Sequence, residues 1–304
     1  MTTSKAKKKP DKWNIYNYCV SFIDLLGQKD ALQGQGLMPI FNSDEDRQEF
    51  FDTFKGSVGS ILKLQEDAEE MLEVTHRERP DSPFHENLSH EQQQIWDQMK
   101  RTRVTSQRWS DGLVSFTSLG DKEIKCPLNG VFDILALSGS LCFMGLASGR
   151  PIRGGIDIAW GVELRPGELY GAAVAQAYEL ENIHAQYPRI VVGQRVLHFL
   201  YAHIKNQDQD VFSANNRELA KLCLDMLVKD VDGLCFLHYL GEGFRLAVSH
   251  QYHNQLYNEA HKYIIDQLKI HRNSNNTKLA FRYSYLLLYF DNHPPSEEDQ
   301  QDIE

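Results

Sequence analysis

Residues 17–27 read NYCVSFIDLLG. The first seven form a short apolar run rich in aromatic and β-branched residues, and such a run predicts a buried β-strand. The run ends at Asp24, which Leu25, Leu26 and Gly27 follow. Because a rigid sheet holds the end of a buried strand, this stretch predicts both the centre of the fold and a fixed carboxylate.

A second carboxylate lies at the tip of a predicted β-hairpin. Strand-like runs at 104–109 and 113–116 flank Asp111 and Gly112, and Asp-Gly between such runs is a strong hairpin signal. Adjacent strands lie about 5 Å apart, so Asp24 and Asp111 could share two divalent ions roughly 3.5–4 Å apart. Each aspartate also has a simpler interpretation, Asp24 as a helix cap and Asp111 as an ordinary turn residue.

The remaining pattern adds helices to this sheet. Strands are predicted at 151–159 and 189–192, and a second hairpin at 233–240 and 243–248. Helices are predicted at 44–71, from Ser89 toward Arg101, and at 127–149, 171–184, 215–228, 250–271 and 278–290. The order predicts an α+β fold with helices packed on one face of the sheet, a helical insertion after the first strand and a helical C-terminal extension.

The composition of the chain disfavours some classes of function. The 304 residues carry a formal net charge of −10, which disfavours a protein that binds the nucleic-acid backbone. Five widely spaced cysteines favour reduced, buried thiols and a cytoplasmic protein. The longest apolar stretches, near 131–147 and 279–290, are interrupted by polar residues and shorter than a bilayer requires, so no membrane partner is expected.

Four blocks, in this order, resemble the class III adenylate and guanylate cyclase domain. They are FIDLLG at 22–27, SDGLVSF at 110–116, RGGI at 153–156 and GAAVAQAYEL at 171–180. The resemblance implies that Asp24 and Asp111 hold two Mn²⁺ or Mg²⁺ ions per site, with help from the Leu25 backbone carbonyl. It further implies that the substrate is bound by Phe22, Gly27, Gln28, Lys29, Gln107, Arg108 and Glu168, with the backbone N–H groups of 27–29 facing the β- and γ-phosphates.

The chain departs from the purine cyclases at the residues that read the base. Their lysine and aspartate correspond here to Gln107 and Glu168, which present a different set of hydrogen-bond donors and acceptors. The transition-state asparagine and arginine of the family correspond to Ala175 and Glu179, neither of which can donate to a phosphate. Another donor must replace them, or activity is low or absent; the candidates are Arg108, Arg150, Arg153 and Arg165.

These departures, with the insertion and the extension, resemble the pyrimidine cyclases of Pycsar antiphage defence. The resemblance implies a cytoplasmic homodimer that converts UTP or CTP to a cyclic monophosphate, with each active site between protomers and a downstream effector reached through the cyclic nucleotide. A degenerate, nucleotide-binding sensor or scaffold is the main alternative, and a two-metal nucleotidyltransferase that joins triphosphates is a third.

The domain boundaries follow from the same pattern. We assign 1–14 to a disordered basic tail and 15–249 to the cyclase domain, with the helical insertion at about 40–103. Residues 250–293 form C-terminal helices, and 294–304 form a disordered acidic tail.

Overall fold

A mixed β-sheet forms the centre of the protein in the computed structural model, which describes residues 13–27, 39–77, 88–99, 104–120, 124–248 and 254–295. Within these residues the strands are β1 (Tyr16–Leu25), β2 (Thr105–Trp109), β3 (Gly112–Gly120), β4 (Ile152–Arg165), β5 (Glu168–Gly171), β6 (Ile190–Val192), β7 (Leu227–Lys229) and β8 (Cys235–Leu237). Their order is β2-β3-β1-β4-β6-β8-β7, and β5 pairs with β4. The β4–β6 pairing is parallel and the others are antiparallel. The strand predicted at 17–23 is therefore a central strand of the sheet.

Helices surround the sheet and continue to the end of the described chain. They are α1 (Asp44–Arg77), α2 (His90–Met99), α3 (Pro127–Ala147), α4 (Ala172–Glu179), α5 (Gln194–Lys205), α6 (Val211–Asp225), α7 (Glu242–Ala247), α8 (Asn254–Asn273) and α9 (Thr277–Asp291). A π-helical turn, Leu180–His184, continues directly from α4. The predicted helical insertion contains α1 and α2, and most of the two predicted tails lies outside the described residues.

Both faces of the sheet are covered, so the prediction of helices on one face is wrong. Alternate residues of β1 separate two cores: Cys19 and Ile23 join the core that contains α3, whereas Val20 and Phe22 join the core that contains α4. The physical reason is visible in β1 itself, which is apolar at successive positions rather than at every second one. Such a strand is typical of a sheet that is buried on both sides.

Helix α3 is the main helix of the larger core. Its 21 residues are apolar enough to cross a membrane, which corrects the expectation that the apolar stretches are too short. However, 83% of its apolar window is buried inside the fold. Burial of this kind is what a core helix of a soluble protein shows, and no other described helix meets the same criteria.

The C-terminal third differs most from the prediction. Helix α5 was not predicted, and the helix expected at 215–228 is α6, which ends at Asp225 before strand β7. The expected second hairpin is instead β7 and β8, while most of the run predicted as its last strand, 243–248, belongs to α7, whose Phe244 is buried. Helices α8 and α9 place Ile264 and Leu286 in the same core as α3, so the C-terminal extension shares the interior of the main domain.

Candidate active site

Asp24 lies at the end of β1, between two neighbouring strands that both carry charged residues. In the β1–β3 pairing its partner is Gly112, which directly follows Asp111. In the β1–β4 pairing its partner is Arg153. Because register partners in antiparallel strands have Cα atoms about 5 Å apart, the sheet brings Asp24, Asp111 and Arg153 to one edge.

The β2–β3 hairpin holds Asp111 in a two-residue turn. Trp109 pairs with Gly112, so Ser110 and Asp111 form the turn, one residue earlier than predicted, and Ser110 has a φ of 57°. Gly112 is needed for another reason, because a Cβ atom there would lie 2.7 Å from the Ile23 carbonyl oxygen. The missing side chain lets β3 approach β1 closely, and that approach positions the half-buried Asp111 beside Asp24.

A fourth charged residue completes the group. The Arg153 Nη2 atom lies 3.8 Å from Asp24 Oδ2, and its Nε atom lies 2.6 Å from Glu181 Oε1. Glu181 belongs to the π-helical turn, and its side chain is 2% exposed. We call Asp24, Asp111, Arg153 and Glu181 the carboxylate cluster; it contains three acids and one base.

Two acids of the carboxylate cluster have raised pKa values, mainly because they are buried. Burial, followed by repulsion from Asp111, raises the pKa of Asp24 from 3.8 to about 6, against the lowering effect of Arg153. Burial also raises the pKa of Glu181 to about 7; Arg153 opposes this rise, whereas Asp24 and Asp111 add to it. Asp24 and Asp111 are thus close enough to repel each other, and a bound cation would relieve that repulsion.

The raised pKa of Asp24 predicts a pH-dependent stability change on substitution. A carboxyl whose pKa is raised by folding stabilises the protein below its unfolded pKa near 3.8, and this contribution is lost as the pH rises through about 6. In metal-free protein at pH 8, Asp24→Asn should therefore increase the free energy of unfolding by about 1–3 kcal/mol. The gain should shrink toward zero near pH 4.

Urea denaturation in the presence of a chelator at pH 8 and pH 4 measures this difference. Asp208→Asn is a matched control, because Asp208 is exposed in a loop far along the chain. A variant Asp24→Asn that is less stable than the parent at pH 8 would contradict the electrostatic account of the cluster.

Aromatic side chains lie next to the carboxylate cluster. The Phe22 ring contacts those of Trp109 and Tyr178, with centroids 6.2 and 5.2 Å apart. Phe22 is 3% exposed, whereas Trp109 and Tyr178 are 49% and 46% exposed. The predicted substrate contact at Phe22 is therefore a buried support, and the accessible ring faces belong to two residues that sequence reasoning missed.

The two predicted base-reading residues lie together. Gln107 Oε1 accepts a hydrogen bond of 3.1 Å from the backbone N–H of Leu169, the residue after Glu168. Glu168 is exposed, and its Oε1 atom lies 3.8 Å from Arg165 Nη1. The bond to Leu169 leaves the amide N–H groups of Gln107 to act as donors, and the Glu168 carboxylate is an acceptor.

The other predicted site residues fall in several places. Leu25 ends β1 with its side chain in the core, and Gly27 lies in the following turn with a φ of 90°. Gln28 and Lys29 lie outside the described residues. Arg108, Ala175 and Glu179 are exposed.

Of the four arginines proposed as replacement donors, Arg153 contacts Asp24, whereas Arg150 pairs with Asp67 and Arg165 with Glu168.

Whether a divalent metal fits this site depends on the side chains that could act as its ligands. Among the residues that the structure describes, no group of three or more His, Cys, Asp or Glu side chains is arranged to hold a metal ion. Asp24 and Asp111 remain a chemically suitable pair, because Mg²⁺ commonly uses one or two carboxylates and takes its other ligands from water and substrate phosphates. The pair therefore fits ions that arrive with a nucleotide better than a permanently bound metal.

Sequence reasoning missed Glu181 although it lies directly after the fourth motif block. Its position, one helical turn beyond Ala177, places it on the face that packs against β4. However, the sequence contains no charge pattern that distinguishes a buried glutamate at this position from an exposed one.

Comparison of the chain with protein-family models, with curated proteins and with solved structures finds no match.

Proposed function

We propose that the protein is a pyrimidine nucleotide cyclase similar to the class III enzymes. It converts UTP or CTP to the 3′,5′-cyclic monophosphate and pyrophosphate, as a cytoplasmic second-messenger synthase in antiphage defence. The proposal is carried by one observation: Asp24 and Asp111 lie at the ends of adjacent strands and interact electrostatically. The motif blocks around both residues support the assignment.

The reaction exchanges one P–O bond at the α-phosphorus for another and releases one proton. The ribose 3′ oxygen bonds to the α-phosphorus, the bond from the α-phosphorus to the bridging oxygen of the β-phosphate breaks, and the hydroxyl proton passes to solvent. When bound, two divalent ions supply Lewis-acid activation of the hydroxyl and neutralise charge on the phosphate oxygens. Asp24 and Asp111 would hold these ions and so fix their positions beside the phosphate oxygens on which charge develops.

Among the described arginines, Arg153 is the one best placed to substitute for the missing donors at Ala175 and Glu179. Its guanidinium lies beside Asp24 and is held by Glu181 at 2.6 Å. Glu181 fixes the orientation of the guanidinium, and remaining N–H groups can donate to a phosphate oxygen. Arg153 is therefore assigned to positioning the α-phosphate.

Gln107 and Glu168 support recognition of a base edge that offers an acceptor next to a donor. Uracil presents O4 beside N3–H, and cytosine presents N3 beside its amino group. The donor of Gln107 and the acceptor of Glu168 match either edge, so both UTP and CTP remain substrates of the proposal.

An apolar groove between the β4–β5 hairpin and the residues before β1 supports a homodimer. The hairpin contributes the exposed Trp160, Leu164 and Tyr170 and the buried Val162, and the segment before β1 contributes the exposed Trp13 and Ile15. Exposed apolar patches often mark interaction sites. The groove borders the hairpin that also carries Glu168, which agrees with active sites shared between two protomers.

A catalytically degenerate sensor or scaffold is the second candidate. It is favoured by Ala175 and Glu179, which are both exposed on α4 and present no phosphate donor. Such a protein would bind a nucleotide through the same carboxylate cluster without releasing a product.

One assay separates these functions. The purified protein is incubated with ATP, GTP, CTP and UTP separately in the presence of Mn²⁺, and products are analysed by mass spectrometry together with pyrophosphate release. A cyclic pyrimidine monophosphate and equimolar pyrophosphate are expected. Nucleotide binding without product would favour the sensor, and a linear or cyclic dinucleotide would favour a nucleotidyltransferase.

A further inference from the structure

The π-helical turn after α4 is the element that brings Glu181 to Arg153. Its backbone bond joins the Ala185 N–H to the Leu180 carbonyl oxygen, five residues earlier, over 2.9 Å. Such turns are rare, and they occur mostly as single insertions at the end of or within α-helices, often at functional sites. Because Glu181 lies inside this turn, the position of its carboxylate depends on the contacts that hold the turn in place.

Arg189, the buried residue directly before β6, holds the end of the turn. Its Nη2 atom donates a hydrogen bond of 2.8 Å to the carbonyl oxygen of His184, the last residue of the turn. The last carbonyls of a helix lack partners within it, and a cation there is also favoured by the helix dipole. The Arg189 carbonyl oxygen accepts a bond of 3.0 Å from the N–H of Gly154, next to Arg153. Arg189 thus joins the strand that carries Arg153 to the turn that carries Glu181.

Two aspartates of the turn between β7 and β8 fix the Arg189 guanidinium. Nη1 forms an ion pair with Asp230, and Nη2 lies 2.5 Å from Asp232 Oδ2. The side chains of Arg189 and Asp230 are buried, whereas that of Asp232 is exposed. Two carboxylates on one planar guanidinium leave it little freedom to rotate. Its direction toward the His184 carbonyl is therefore set from the far side.

Helix α9 of the C-terminal extension reaches the same group of residues. The Tyr285 hydroxyl donates a hydrogen bond of 2.7 Å to Asp230 Oδ1, and the Tyr187 hydroxyl donates to the other oxygen of that carboxylate. The rings of Tyr285 and Tyr187 are in contact, with centroids 5.3 Å apart. One turn earlier on α9, Arg282 Nη2 donates a bond of 2.5 Å to Gln186 Oε1. Helix α9 therefore contacts both the segment after the π-helical turn and the acid that orients Arg189.

We propose that Arg189 is a positioning residue of the carboxylate cluster, and that Tyr285 extends this role to the C-terminal extension. Direct contacts lead from Tyr285 through Asp230 to Arg189. They continue from Arg189 through the π-helical turn to Glu181, which holds Arg153. The consequence for turnover rests on the proposed function, whereas the consequence for the π-helical turn does not.

Hydrogen exchange of the Ala185 amide, followed by NMR, reports the stability of the π-helical turn without any substrate. Tyr285→Phe removes only the hydroxyl that bonds to Asp230, and it should speed this exchange about tenfold, as expected for one hydrogen bond to a charged group. Arg189→Lys should speed it further, because an ammonium group lacks the planar fork that binds the two aspartates. Tyr285→Phe remains the decisive variant if the buried Arg189→Lys does not fold.

Tyr289→Phe is the matched control. Tyr289 lies on the same helix, but its hydroxyl accepts a bond of 3.2 Å from the Leu240 N–H, so its loss should leave exchange at Ala185 unchanged. A merely structural role for Tyr285 gives another pattern, since a global loss of stability speeds exchange in the central strand β1 by the same factor. Equal acceleration at Ala185 and in β1, or no acceleration at Ala185, would overturn the positioning role.

Turnover tests whether the contacts act on the site through Glu181. With UTP or CTP and Mn²⁺, Tyr285→Phe should lower kcat about 10- to 100-fold, as a small misplacement of a positioning group does, and Tyr289→Phe should keep the parental value. In a Glu181→Gln background, Tyr285→Phe should cause little further loss, because residues that act through one another are not additive. Fully additive losses would overturn the action through Glu181.

The outcomes separate this inference from the proposed function. Faster exchange at Ala185 in Tyr285→Phe, with β1 unchanged and no cyclic product from the parent protein, would support the positioning role and reject the cyclase. A cyclic product together with unchanged exchange at Ala185 in Tyr285→Phe would reject the positioning role alone.

Discussion

Asp111→Ala is expected to lower formation of the cyclic nucleotide by about a thousandfold or more, since metal-assisted stabilisation of developing charge is worth several kcal/mol. The variant removes one of the two carboxylates that converge at the ends of β1 and β3. Folding should be affected little, because Asp111 occupies a turn and is only half-buried. Initial rates at saturating Mn²⁺ and nucleotide measure the change.

Asp208→Ala is the matched control, since it removes one exposed aspartate outside the cluster. An Asp111→Ala variant with parental turnover would remove the two-carboxylate mechanism. A second measurement needs no activity: Asp111→Asn should lower the pKa of Asp24 below about 6, because one cause of its elevation is the charge of Asp111. Carbon-detected NMR titration of the carboxyl group follows this shift.

Gly155→Ala is expected to decrease the free energy of unfolding by about 2–3 kcal/mol, in the range of overpacked interiors. A Cβ atom at Gly155 would lie 2.4 Å from the Ala177 carbonyl oxygen and 2.5 Å from Leu180 Cβ. The first is a backbone atom and the second is a Cβ atom, so neither can move aside as the flexible end of a side chain could. The junction of α4 with the π-helical turn would have to move, and Glu181 with it.

Gly56→Ala on α1 provides the comparison for urea denaturation. A Cβ atom there meets no atom within 4 Å, so alanine should stabilise the helix by about 0.5–1 kcal/mol. Equal stabilities of Gly155→Ala and the parent protein would show that α4 does not pack against β4 as closely as described.

The local sequence predicted the elements that carry the two aspartates. The apolar run before Asp24 and the hairpin at Asp111 have short-range signals, and the structure contains both at nearly the expected residues. The hairpin turn is displaced by one residue because Gly112 serves close strand packing rather than the turn itself. The roles assigned to these residues remain predictions.

Elements that depend on tertiary packing were not predictable in the same way. Strands β7 and β8 have three residues each, too few for an alternating pattern. Helix α5 begins after Gly193 without a side-chain cap, so its start has no marker. The run at 243–248 was predicted as a strand of a hairpin, but most of it belongs to α7, whose Phe244 packs against Gly139 of α3.

The site shows the same division. Motif blocks pointed to Asp24 and Asp111, and the third block contains Arg153, which was one of four candidate donors. Glu181 joins them through its ion pair with Arg153, a contact that no local pattern encodes.

The central place of β1 in the sheet has a consequence for biosynthesis. Asp24 pairs with Gly112, 88 positions later, and with Arg153, 129 positions later. At about 5–20 residues per second on the ribosome, β1 therefore waits on the order of ten seconds for both neighbours to be translated. Throughout that interval β1 has an apolar surface and two unpaired edges, so the nascent chain is open to non-native strand pairing until both neighbours join the sheet.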